Sequence, residues 1–314
     1  MRLIKIILLC MTLLTGTAMA DLHPTKPVKI ITNLPVGSGP DIFVRKLSQM
    51  LESHWKVPVT IDNKPGGAGL VALEQYLRTP SNGHTIFYGD FGVFVTTPIL
   101  YDKENLIQQL KPLTIGYNSA WMIVTPSSIQ NFSDLKSKLP SNPKFGSWGV
   151  GSGGHLCGQE LSAILQVATV HVPYKDHGPW FADTSNGLLA FGCTSVGSSE
   201  SYYRSGKFNY VATTSNKRDP AYPDVPTVRE LTGHTFEAGE VFSAFYIHAQ
   251  TDEQIYRKLE KDFRTFIQHK DMVELVKTLR GYPVSNTSEE MNKLRNDKVI
   301  DYKKLIKKYS ISIN

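Results

Sequence analysis

Cysteine is scarce: three in 314 residues, and the first, Cys10, lies in an apolar run near the start of the chain. No pair has the close spacing of a structural zinc site. The nine histidines are scattered. His171 and His177 are six apart across Pro173, which rules out a shared helix face, and no H-E-x-x-H occurs. The sequence therefore predicts no metal. A Walker lysine pattern is absent, which removes the P-loop nucleotide enzymes. No apolar run after the first few residues is long enough to span a bilayer. Basic residues do not interleave with aromatics in the nucleic-acid manner. Repeats, low-complexity tracts and long linkers are missing too.

The start of the chain carries an export signal. Arg2 and Lys5 precede an apolar run from Ile6 to Leu14, and Ala18-Met19-Ala20 has the small-residue pattern of a cleavage site. The sequence predicts a signal peptide over 1–20, cleavage after Ala20, and a periplasmic mature protein. Leu8-Leu9 before Cys10 do not fit a lipidation site, which prefers small residues there. Removing 20 of 314 residues leaves 294, enough for two domains with separate cores. Of 34 Lys+Arg, the leader takes two, leaving 32 against 28 Asp+Glu, a mild +4. Lys303-Lys304 and Lys307-Lys308 account for part of it and read as a solvated helix face. Cys157 and Cys193 remain in an oxidising compartment. Spacing alone does not place their Cα atoms, so the sequence leaves a bridge open.

Short apolar runs alternate with amphipathic helical stretches, the pattern of an α/β protein. Strands are predicted at Val28–Thr32, Val57–Asp62, Thr85–Tyr88, Lys144–Trp148, Val170–Pro173, Leu188–Thr194, Tyr210–Thr213 and Phe242–Ile247. A further strand over Leu113–Val124 crosses into a second unit. Helices are predicted over Asp41–Ser53, a stretch ending near Leu77, His155–Gln166, Ile255–Ile267, Met272–Leu279 and Ser288–Lys308. Ser133, with Asp134 behind it, is read as the cap of a short helix. Each unit opens with strand, glycine loop, helix. Such a junction offers free backbone N–H groups to an anion, and two of them facing across a cleft offer two sets.

Three chemistries compete for these loops. Gly149, Gly151 and Gly154 fit G-x-G-x-x-G, but Tyr174 stands where the acidic partner belongs, with Asp176 only nearby. Export also separates the protein from cytosolic dinucleotides, so no cofactor is predicted. Ser38, Ser147 and Ser152 sit in glycine-rich turns with His155 close by, but none is centred in G-x-S-x-G. They read as turn formers or caps, with an exported serine hydrolase acting on a small ester as the alternative. What remains is capture of an anion by backbone amides without catalysis. The loops contain no Arg or Lys, and N–H groups with ordered water suffice to hold one carboxylate.

"TKPVKIITNLPVGSGPDIFVRKLSQML" from Thr25 resembles the opening of the substrate-binding receptors of tripartite tricarboxylate transporters, the Bug family. Further matches follow in order: "VPVTIDNKPGGAG" from Val57, "SNGHTIFYG" from Ser81, "GVGSGGHLCGQEL" from Gly149, "VPYKD" from Val172 and "YPDVPTVRELTG" from Tyr222. The resemblance implies a two-domain periplasmic-binding-protein fold of type II, with two crossing strands and a cleft between domains. Residues 21–122 and 241–314 would form one domain and 123–240 the other. It implies a monomeric, non-enzymatic receptor that carries a small organic carboxylate to a membrane permease or a sensor kinase. The implied ligand-binding residues are Val36, Gly37, Ser38, Gly39, Asp41, Trp148, Gly151, Ser152, Gly153, His155, Tyr174 and Asp176. The chain departs from the family pattern at Val36, Ser38, Trp148, Asp176, His177 and the "IHAQTD" stretch from Ile247. Those departures alter the wall around the ligand more than the grip on it.

Overall fold

The computed structural model describes residues 23–236, 240–282, 284 and 286–312. The predicted leader, 1–20, and its predicted cleavage site lie outside these residues. Among the described residues ten strands form two five-stranded sheets of matching plan. The first contains β1 (Val28–Thr32), β2 (Val59–Asn63), β3 (Thr85–Asp90), β4 (Leu110–Ala120) and β10 (Glu240–His248), in the order β2-β1-β3-β10-β4. The second contains β5 (Met122–Pro126), β6 (Lys144–Ser147), β7 (Val170–Pro173), β8 (Phe191–Thr194) and β9 (Phe208–Thr213), in the order β7-β6-β8-β5-β9. In each sheet three strands run parallel and one antiparallel strand joins them to the edge.

The parallel strands read as continuous apolar runs because helices cover both faces. Val28, Ile30 and Ile31 are buried, as are Ile86, Phe87 and Tyr88 beside them. The longer helices are α1 (Gly39–Trp55), α2 (Leu70–Leu77), α3 (Gly153–Leu165), α4 (His177–Ser185), α5 (Val196–Arg204), α6 (Glu253–Ile267), α7 (Lys270–Thr278) and α8 (Ser288–Lys308). In α1, Phe43, Val44, Leu47 and Leu51 recur at helical spacing and are buried. They join Phe263 of α6 and Met272 of α7 in one core against the first sheet. Trp180 and Phe181 of α4 pack with Met122, Val124 and Phe208 against the second.

The chain passes between sheets twice. Leu113–Val124 is not one strand: it breaks at Trp121 into β4 and β5. There Trp121 N–H turns to Thr214 Oγ1 at 3.1 Å, and its carbonyl accepts Thr214 N–H at 3.0 Å. β10 returns antiparallel to β4, with Glu240 opposite Ala120 and His248 opposite Leu110. Ser133 does not cap its helix. Asn131 does, its side chain accepting Asp134 N–H at 2.8 Å, and Ser133 falls inside the first turn. The reading of Ser133 failed because Asn and Ser compete for the same role two residues apart. Helices α4 and α5 were not anticipated. In "HGPWFADTS" the glycine, proline and β-branched residue dilute the helical period, and Trp180 and Phe181 stand side by side. Cys157 of α3 and Cys193 of β8 form a disulfide.

Candidate functional site

The site is built from strand ends. β1 ends at Thr32, and the chain turns through Asn33–Ser38 into α1. Ser38 is the N-cap of α1, its hydroxyl accepting Asp41 N–H at 3.4 Å and donating to Pro35 O at 2.8 Å. Gly37 has φ of +80°, a conformation that strains any residue with a Cβ. Asp41 is buried and holds this turn from behind. It accepts Gly37 N–H at 2.8 Å, Asn63 Nδ2 at 2.8 Å, and Arg45 Nε and Nη2 at 2.9 and 3.1 Å. Asn63 Nδ2 also donates to Leu34 O at 2.9 Å. Strand β2 thereby fixes the turn after β1.

The second sheet repeats the arrangement. β6 ends at Ser147, and residues 148–152 lead into α3. Ser152 is the N-cap, its hydroxyl accepting His155 N–H at 3.2 Å. Gly151 N–H donates to His155 Nδ1 at 3.1 Å, so the His155 ring accepts there and is neutral. His155 stacks on His171, ring centroids 3.8 Å apart, and His171 Nε2 shares a 2.6 Å hydrogen bond with Ser147 Oγ. Burial pulls the His155 imidazole down to about 3, with adjacent His171 adding to the effect. Burial alone brings His171 to about 4. A stacked, uncharged histidine pair therefore supports the second loop, where Asp41 supports the first. Across the gap, Thr96 donates a hydrogen bond to Gly151 O and ties the two sides together.

Between these turns lies a cavity of ≈ 370 Å³. Ser38 and Pro40 reach it from the first turn, Ser152 and Gly153 from the second. Both helix N-termini thus open on one space, the arrangement that favours an anion. Of the other residues named from sequence, Trp148 and Tyr174 also line it. Val36 points to solvent, 71% exposed. Gly37 is exposed at the outside of its turn, whereas Gly39, Asp41, Gly151 and His155 are buried behind the lining and shape the turns. Gly39 packs under Tyr117, and its missing Cβ would sit 3.3 Å from the Tyr117 hydroxyl. Asp176 is exposed and caps α4, accepting His177 N–H at 2.6 Å.

Sequence reasoning missed a third glycine segment. Gly66–Gly69, after β2, lines the cavity, and its signal in the sequence is "PGGAG", part of the match from Val57. Asp90, at the end of β3, also lines it and caps the short helix Phe91–Phe94 by accepting Val93 N–H at 3.1 Å. Burial raises the Asp90 carboxyl, while Val93 N–H, the Asn33 side chain and Gly92 N–H act the other way. Trp121, Phe242 and Ser243 come from the two crossing segments, and Ser195 and Ser198 from the start of α5. These positions converge only through long-range pairing, so no local motif could have marked them.

The far wall is aromatic. Trp148 is half-buried, stacked 5.5 Å from Trp121 and edge-on to Trp180 at 4.7 Å. Its Nε1–H donates to His177 Nε2 at 3.0 Å. Burial lowers His177 to about 4, against the nearby Asp176 charge, so its ring is neutral and able to accept. Tyr174, on the same side, donates from its hydroxyl to Asp183 Oδ2 at 2.5 Å, and burial with that bond pushes it up to about 12.

A sequence profile described as the tripartite tricarboxylate transporter family receptor matches residues 43–311. The chain belongs to this receptor family. It is 24% identical over 282 residues to protein BugT of Bordetella pertussis, covering 86% of this chain and 85% of BugT. Among solved structures, the periplasmic binding protein BugD superposes with a TM-score of 0.83 at 24% identity, over 92% of this chain and 99% of BugD. A Rhodopseudomonas palustris protein, MatC, solved with bound malate, gives 0.80 at 19% identity, over 90% of this chain and all of MatC. An R. palustris protein solved with adipate gives 0.85 at 20% identity, over 92% of this chain and 99% of its own. The receptor is thus a periplasmic-binding-protein fold, α/β in both halves. Among its described residues no helix is long and apolar enough to cross a membrane.

The Asp41 network carries a prediction. Asp41→Ala frees Gly37 N–H and the Asn63 amide, and the first turn loses its support. Affinity for the bound solute should fall about tenfold, ~1.4 kcal/mol, with Asp41→Asn recovering part of it. Calorimetry on the three proteins checks this, and equal affinities would show that the turn keeps its shape without the carboxylate.

Proposed function

We propose that this receptor captures a small organic carboxylate between the turn after β1 and the turn after β6, and delivers it to the membrane component of a tripartite transporter or to a sensor. The observation that carries the reading is the meeting of two capped helix N-termini, at Ser38 and at Ser152-Gly153, on one cavity. Backbone N–H groups and bridging water would hold the anion, with Ser38, Ser152 and Gly153 as the grip and Trp148 and Tyr174 as the wall. Relatives solved with adipate and malate support the choice of ligand class.

The rest of the assignment follows from the same reading. The chain divides into a domain of residues 21–122 and 241–314 and a domain of residues 123–240, joined where β4 passes into β5 and where β10 begins. The protein works as a periplasmic monomer once its leader is removed after Ala20, and it performs no catalysis. Ser38 and Ser152 already serve as helix caps, and Ser147 is buried behind the lining, which leaves a hydrolytic reading without a free nucleophile. Native mass spectrometry of gently purified protein tests the proposal. A retained small acid is the expected result. Turnover of generic esters by the pure protein, with no acid retained, would overturn it.

A further inference from the structure

Within that reading, the wall of the cavity defines which carboxylate fits. Trp148 is not a loose surface ring. Trp121 lies against one side of it at 5.5 Å, Trp180 meets it edge-on at 4.7 Å, and His177 Nε2 accepts its Nε1–H at 3.0 Å. Its ring plane is therefore set before a ligand arrives, and its unburied part lies on the cavity. Phe91, Tyr117 and Phe242 continue the apolar lining. A preset aromatic plane favours a flat partner, because stacking needs ring overlap at van der Waals distance.

The charge pattern points the same way. Among the described lining residues Asp90 is the acid and Lys175 the base, and Lys175 is exposed. Asp90 stands close to the second glycine turn: a Cβ on Gly92 would lie 3.3 Å from Asp90 Oδ1 and 3.8 Å from Ser152 Cα. In the reading above, both helix N-termini face the one anionic group held between the turns. A carboxylate at the turns already faces Asp90, offset by the two helix N-termini; a second carboxylate would add a further negative charge with no fixed buried cation in the lining to offset it. Malate and adipate, found in relatives, each carry two carboxylates.

We infer that the cavity selects a planar, ring-bearing monocarboxylate whose carboxylate sits at the two glycine turns and whose ring lies on Trp148, with Asp90 rejecting diacids. The inference rests on the carboxylate reading above. It makes Trp148 and Asp90 the residues that determine specificity.

The test is calorimetry with benzoate, trans-cinnamate, cyclohexanecarboxylate, malate, adipate and citrate as probes, together with tryptophan fluorescence. Benzoate or cinnamate is expected to bind at least about tenfold tighter than cyclohexanecarboxylate or any of the di- and tricarboxylates, and to quench the tryptophan emission. Trp148→Ala should cut benzoate affinity at least about tenfold, and Trp148→Phe should restore most of it. If Trp148→Ala does not fold, Asp90→Asn gives an independent reading: the affinity for adipate relative to benzoate should rise about tenfold. Malate, adipate or citrate binding ahead of both ring acids would overturn this inference and leave the carboxylate reading standing. Binding by none of the six probes would overturn both.

Discussion

Lowering the pH from 6.5 to 4 should destabilise this receptor steeply, and the loss should begin well before its surface carboxylates take up protons near pH 4. His155, His171 and His177 are held neutral by burial, with folded values of about 3, about 4 and about 4. In the unfolded chain each takes up a proton near pH 6.5. Between 6.5 and 4 the unfolded state therefore binds more protons than the folded one. Stability is fully present above 6.5 and is lost as pH falls toward the folded values. A histidine that stays neutral in the fold costs about 1.4 kcal/mol per pH unit across that window, or ~3 kcal/mol by pH 4. Urea midpoints measured from pH 7 to pH 4 report the slope. His177→Asn keeps an acceptor for Trp148 Nε1 and removes one titration, so its slope should be shallower. A wild-type midpoint that stays flat from pH 6.5 to 4.5 would show that these rings protonate freely in the fold.

Breaking the Cys157–Cys193 disulfide should have an effect of similar size. The bridge closes a sequence separation of 36 and ties α3, the helix whose N-terminus opens on the cavity, to β8 in the sheet behind it. Loop-closure entropy gives about 3–4 kcal/mol for a closure of that length. The pair Cys157→Ser and Cys193→Ala should therefore melt well below the wild type, and both sulfur positions are buried. Ligand affinity near room temperature should change much less than stability, because Gly151 and Ser152 are also held by Ser147, His155 and Thr96. Thermal melts read one effect and calorimetry the other. Equal melting temperatures for the variant and the wild type would mean that the bridge constrains little in the unfolded chain.

The parts of the fold legible in the sequence were those written in local periodicity. β1 and α8 stand where apolar spacing and capping residues place them, and each glycine turn falls between a strand and a helix. Positions set by competition between neighbours were less legible. Asn131 takes the capping role from Ser133, and Trp121 splits what reads as a single apolar strand. In the site, the two serine-capped turns were visible because their residues adjoin in sequence. Asp90, Gly66–Gly69 and Phe242 were not, since they reach the cavity from three separate strand ends. Residues such as Asp41 and His155 carried a real signal, but it marked support of a turn; direct contact and support look alike in a motif.

The most direct test of the central claim compares an acid with its uncharged double. The carboxylate identified by native mass spectrometry, and its methyl ester at the same concentration, should be titrated into the receptor by calorimetry. Solution scattering on the same samples follows closure of the two halves. The acid should bind, raise the melting temperature with concentration, and reduce the radius of gyration, because contact with both glycine turns favours the closed state. The ester, which keeps the body of the ligand and loses the anion, should do none of these. An ester that binds as tightly as the acid would mean that the two helix N-termini do not read a carboxylate, and the account of this receptor would fail at its centre.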